Sequence, residues 1–170
     1  MHLVEHFQLM ARYNQWMNEN LYQVCADIPD EDRKKDLGAF FKSVHGTLNH
    51  ILYSDKAWIG RFTHKPFYAR NMGQNLYADF DELRAERQAT DCRISQWSQT
   101  LAPDWLESQL EYKSTVDGKT RRLPTWVLVT HMFNHQTHHR GQVTTLIKQL
   151  GREPGITDLP WLPDFEVENT

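Results

Sequence analysis

Apolar side chains recur at steps of three and four along most of the chain, the spacing that places them on one face of an α-helix. The first stripe is Leu3, Phe7, Met10, Asn14, Met17, Leu21 and Val24, and Pro29 marks its end. The second is Phe41, Val44, Leu48, Ile51, Asp55, Trp58 and Phe62, with Gly46 inside it as a weak point or a place of close packing. The third, Phe80, Leu83, Arg87, Thr90, Ile94, Trp97 and Leu101, follows Asp79-Phe80-Asp81-Glu82, a helix-capping signal with an acid three residues after the cap. It is the most polar stripe and is expected to be the most exposed. The fourth is Leu128, Met132, His135, His139, Gln142 or Val143, Leu146 and Leu150. Pro124 is placed to open this helix, and Gly151 followed by Pro154 to close it.

The intervening segments have a different grammar. Residues His64 to Ala78 hold Pro66, Gly73 and several amides and read as a linker. Between Pro103 and Leu123 the period changes to two: Leu106, Ser108, Leu110 and Tyr112 alternate, and Val116-Asp117-Gly118-Lys119 signals a tight turn. The tail from Gly151 to Thr170 carries prolines at 154, 160 and 163, so it cannot form a long helix. Ile156, Leu159, Trp161, Leu162 and Phe165 suggest that it packs back. The pattern predicts an all-α four-helix bundle with a short hairpin or extended insertion before the last long helix. At 170 residues it fits one domain, spanning 1–170.

Composition narrows the possible functions. A formal charge of −3 and a pI near 6.3 argue against a nucleic-acid partner, whose phosphates demand a basic face. The two basic runs, Arg33-Lys34-Lys35 and Lys119 to Arg122, lie beside expected turns and read as solvated surface. Cys25 and Cys92 are far apart and have no metal-type spacing. The opening Met1-His2-Leu3-Val4-Glu5-His6 does not read as a signal peptide, and no apolar run approaches the ~20 residues that span a bilayer. The expected compartment is therefore the cytoplasm, with no membrane partner.

The chemistry concentrates in the fourth stripe, where two consecutive core positions, His135 and His139, are histidines four residues apart and neighbours on one helix face. Buried imidazoles need partners. Hydrogen bonds would satisfy one, but a pair with a third candidate on another helix points to a divalent metal. His50, at the edge of the second stripe, is the best third ligand. His45 points some 140° away on the same helix, and His2, His6 and His64 are expected to face solvent. His131, one turn before His135, is the reserve ligand. His138 flanks the site, to bind substrate, to hydrogen-bond a ligand, or to do neither.

The run His135-x-x-x-His139-Arg140-Gly141-Gln142 closely resembles the signature of the DinB/YfiT-like family of four-helix metal proteins. Tyr13-Asn14-Gln15-Trp16, Leu48-Asn49-His50-Ile51-Leu52 with Trp58, and the Pro-Gly and Asp-Leu-Pro of the tail extend the resemblance over almost the whole chain. It implies an up-down-down-up bundle with a histidine triad, one from the second helix and two from the fourth, which carries over to His50, His135 and His139. It also implies homodimers, and relatives that include thiol-dependent S-transferases and a maleylpyruvate isomerase using a low-molecular-weight thiol. The family name is no evidence of DNA binding.

Three protein ligands leave a fourth position for water or substrate, the mark of a catalytic site. Three neutral imidazoles keep the full metal charge, which lowers the pKa of a coordinated thiol or water. Zinc and nickel are the leading candidates. Gln142 could orient a histidine or touch substrate. Asn14 and Asp55, the polar interruptions of two stripes, are candidates to support the ligands, although Asn14 also suits fixing helix register. Asp55 could act as general base or simply pair with Arg140, and Arg140 could instead bind an anionic substrate. Trp16 and Trp58 read as packing. Two readings follow: an enzyme that activates a thiol or water toward a small-molecule electrophile, and a non-catalytic, stress-associated metal-binding dimer.

Overall fold

The four long stripes become four long helices in the computed structural model, which describes residues 2–67, 75–115 and 117–165. They are α1 (Leu3–Ala26), α3 (Val44–Phe62), α4 (Phe80–Ser98) and α6 (Thr125–Gln149), joined by the short helices α2 (Asp30–Lys34) and α5 (Pro103–Glu107). Strands β1 (Gln109–Lys113) and β2 (Thr120–Pro124) form an antiparallel hairpin before α6, with Leu110 opposite Leu123 and Tyr112 opposite Arg121.

Helix directions follow from the core. One apolar cluster holds Met17, Leu21, Leu48, Leu52, Leu83, Val143 and Leu146. The other holds Phe7, Ala11, Trp58, Phe62, Ile94, Trp97, Leu128 and Met132. Along the chain α1 and α6 pass from the second cluster to the first, whereas α3 and α4 pass from the first to the second. The order is up-down-down-up, as the resemblance implies. Because α3 and α4 run parallel, the chain between them must travel the length of the bundle. Residues 68–74 of the expected linker lie outside the described ones.

Between the two clusters sits a polar layer drawn from all four long helices. Arg87 is 2% exposed and spans two buried carboxylates, donating from Nη1 to Asp55 Oδ2 at 2.5 Å and from Nε and Nη2 to the two oxygens of Asp91 at 3.0 and 2.8 Å. Gln136 Nε2 donates to Asp55 Oδ1 at 2.7 Å, and Asn14 and Asn18 each donate to Asp91. Arg140 donates to Asn14 Oδ1. Burial pushes the Asp55 and Asp91 carboxyls up, and Arg87 pulls them back.

This layer corrects two sequence expectations. The third helix is not an exposed one: its polar stripe residues Arg87 and Thr90 are buried. Asp55 pairs with Arg87 rather than Arg140. A third correction concerns Arg33, which is buried and donates to the carbonyls of Cys25, in the last turn of α1, and of Ile28, just beyond it, instead of forming solvated surface.

Element ends follow local chemistry. Ser43 caps α3 by accepting from Gly46 N, and Asp79 caps α4 by accepting from Glu82 N. Pro124 ends β2 and stands one residue before α6. Gly151, at φ +73°, closes α6, with its N–H donating to Lys148 O and that of Arg152 to Ile147 O. Leu106, expected in the alternating stretch, belongs to α5, and the turn residue Val116 lies outside the described ones. The tail packs back through Leu162, but Ile156, Trp161 and Phe165 stay largely exposed. Among the described residues no helix is long and apolar enough to cross a membrane.

Removing Arg87 strands two buried carboxylates, a loss that breaking a buried pair typically puts at about 3–5 kcal/mol. Arg87→Met is expected to lower unfolding stability by that amount in denaturant titration. Adding Asp55→Asn and Asp91→Asn to it should recover most of the loss. A single variant as stable as wild type would refute the role of the layer.

Candidate metal centre

The polar layer sets the register of α3 against α6, and the histidines lie beside it. Gln136, which holds Asp55, follows His135, and Arg140, which holds Asn14, follows His139. With those neighbours turned into the bundle, His135 and His139 face the gap beside His50. The ligand nitrogens of His50, His135 and His139 all lie within 4.8 Å of one another. His135 Nε2 is 3.2 Å from His50 Nε2 and 3.1 Å from His139 Nε2.

These separations fit a shared ion. Two nitrogens at 2.0–2.1 Å from a tetrahedral zinc would be about 3.3 Å apart. Hydrogen bonding alone fits less well, because a neutral imidazole has one N–H, and His135 Nε2 faces two like nitrogens. The tautomers agree: His139 Nδ1 is 2.7 Å from Gln142 Oε1, an acceptor, so Nδ1 carries the proton and Nε2 the lone pair. The three histidines are positioned to hold a metal ion.

Burial disfavours charge on His135 and His139. It pushes His135 down to about 3, helped by neighbouring His139 and His50, and it lowers His139 against an opposing pull from Gln142. Neutral imidazoles are the metal-binding form.

A wall of the site comes from a residue outside the helices. Phe41, in the turn before α3, stacks on His50 with ring centroids 3.8 Å apart and 18° between planes, and meets His139 edge-on. Gly46 permits this approach: a Cβ there would lie 2.2 Å from Phe41 O. The sequence pattern placed Phe41 on the helical stripe, so its role over the histidines was missed.

Other candidates fall outside the cluster. His131 is exposed, its ring edge-on to Trp58 and 5.8 Å from that of His135. His138 is exposed and accepts from Gln142 Nε2 at 3.4 Å. His45 is buried and bonded to Tyr77 O. Asn14, Asp55 and Arg140 touch one another through the polar layer and make no hydrogen bond to the three histidines. Beside the cluster opens a cavity of about 440 Å³ that reaches His50, His135, Trp58, Tyr112 and Arg61. Trp58 therefore both packs in the core and faces this space.

Comparison with known proteins agrees with this architecture. The DinB family sequence model matches residues 3–170. "Protein DinB" of Bacillus subtilis is 24% identical over 159 residues, covering 88% of each chain. "Uncharacterized protein YrdA" of the same organism is 36% identical over 59 residues, 34% of each chain. The crystal structure of a DinB-like protein from Bacillus cereus superposes with a TM-score of 0.69 at 18% identity, covering 89% of this chain and 96% of that one. With the histidine-bearing bundle and a family match over nearly its whole length, the chain belongs to the DinB family.

Proposed function

We propose that this protein is a metal-dependent enzyme that activates a thiol or water for attack on a small-molecule electrophile, in the manner of a thiol S-transferase. The observation that carries the reading is the convergence of three imidazole nitrogens beside a cavity large enough for a substrate. His50, His135 and His139 would hold zinc or nickel. When bound, the ion supplies the Lewis acidity that makes a thiol or water a nucleophile near neutral pH.

The chain's own residues do the rest. Gln142 fixes the His139 tautomer, Phe41 covers one side of the His50 ring, and burial keeps His135 and His139 in the neutral form. A purely structural ion would call for a closed fourth position. His131 stands apart, and no carboxylate among the described residues belongs to the cluster, which favours the enzyme reading over a non-catalytic metal-binding dimer.

Elemental mass spectrometry on untagged, chelator-free protein should find about one ion per chain, one triad holding one ion. His135→Ala and His139→Ala should remove it. A wild type that stays empty after zinc or nickel is added would end the metal reading. Gln142→Leu should retain the fold but weaken metal affinity by about 10- to 100-fold, the usual effect of losing a ligand's hydrogen-bond partner.

The metal-free protein should also respond to acid. A histidine held below its ordinary value contributes stability that is complete above about 6.5 and is lost as pH falls toward about 3, because the unfolded chain takes the proton first. Denaturant midpoints measured across that window should fall with pH in the wild type and fall less steeply in His135→Ala. Equal slopes would contradict the buried, neutral imidazole.

A further inference from the structure

The cavity beside the histidines runs up the α3–α6 groove to Arg61. That residue lies about three helical turns beyond His50, roughly 16 Å along the axis. Its guanidinium rests over Trp58, 4.5 Å from the ring centroid, and 5.3 Å from that of Tyr112. The hairpin builds this wall by alternation. Tyr112 and Arg121, paired across the two strands, are half-buried members of an alternation that turns every second residue inward.

The electrostatics of this space are one-sided. Among the described residues none that line it is acidic, although the whole chain carries a net charge of −3. Arg121 is already engaged, both of its terminal nitrogens donating to Asp117 at 2.8 Å. Arg61 pairs with no carboxylate among the described residues, and partial burial pulls its pKa down. A half-desolvated cation without a counter-ion, resting on an aromatic shelf and facing an open cavity, is arranged to receive an anion. One uncommitted guanidinium offers one charge and a planar two-pronged donor, which matches a carboxylate better than a doubly charged phosphate. Tyr53, Ala57 and Trp58 make the path between Arg61 and the histidines mostly apolar.

We propose that Arg61 recognises a carboxylate on the substrate, which is an elongated molecule with an apolar body and its reacting end at the histidines. The reacting end rests on the function proposed above; recognition of the carboxylate by Arg61 does not require the ion.

The test is calorimetric titration with 4-phenylbutyrate and its neutral analogue 4-phenylbutyramide. The proteins are zinc-supplemented wild type, zinc-supplemented Arg61→Gln and Arg61→Lys, and His135→Ala. A charge-assisted hydrogen bond corresponds to about ten- to a hundredfold in affinity, so wild type should prefer the acid by that factor. Arg61→Gln should bring acid and amide to near equality while keeping the wild-type metal content, and Arg61→Lys should keep part of the preference. His135→Ala should retain the preference, since the anion does not sit on the ion. An acid preference that survives Arg61→Gln, or that vanishes in His135→Ala, overturns the assignment, as does a wild type that binds both ligands equally. Metal content measured on the same samples reports separately on the histidine site.

Discussion

The contact between Asp55 and the pair Arg87 and Gln136 governs the rest of the molecule. Asp55 sits on α3, Arg87 on α4 and Gln136 on α6, so one carboxylate joins three helices at a single height. Apolar surfaces alone would hold these helices together without fixing how far each slides along its neighbour. A buried charge tolerates only the register in which its hydrogen bonds are made. Arg87 and Asp91 extend the constraint to α1 through Asn14 and Asn18. Since His135 precedes Gln136 and His50 shares a helix with Asp55, the same register brings the ligand nitrogens within reach of one another.

That dependence explains what the sequence could and could not reveal. Helices announce themselves by period, and the signals at Asp79 and Gly151 are local, so the order of the long helices and the hairpin were legible, while the Ser43 cap and the short helices α2 and α5 were not. His135 and His139 were legible because they occupy core positions one turn apart. The network was half legible: Asn14 and Asp55 stood out as polar members of apolar stripes, whereas Arg87 was read as part of an exposed face, and which pairs with which depends on heights along different helices. Period gives angle around a helix and says nothing of offset between helices. For the same reason Asp55 was matched with Arg140 rather than with Arg87. Phe41 was missed because it lies in the turn before α3, and Arg61 because it sits in the last turn of that helix, and periodicity carries no information about what lies across a gap.

The hairpin has a similar division. Its strand alternation was readable, yet its consequence is tertiary: it turns Tyr112 and Arg121 toward Trp58 and Arg61, and so closes one wall of the cavity. An antiparallel ribbon of this size is marginal alone. Here Leu110, Tyr112 and Leu123 borrow stability from the core cluster around Trp58 and Phe133. The insertion between α4 and α6 is thus held by the bundle and in turn shapes the space beside the histidines.

The polar layer also determines the charge of the site by what it withholds. Asp55 is a buried acid that bonds to Gln136, the neighbour of His135, and a free carboxylate there could enter a metal's coordination shell and reduce its Lewis acidity. Arg87 binds both Asp55 and Asp91, and Gln136 and the two asparagines occupy further acceptor positions. The described lining of the cavity is imidazole, aromatic surface, hydroxyl and guanidinium. A cation held by three neutral imidazoles would keep its full charge, the setting that the proposed chemistry calls for. The acids that hold the bundle in register are therefore the same acids that are tied up by Arg87, and one network accounts for both the position of the histidines and the polarity around them.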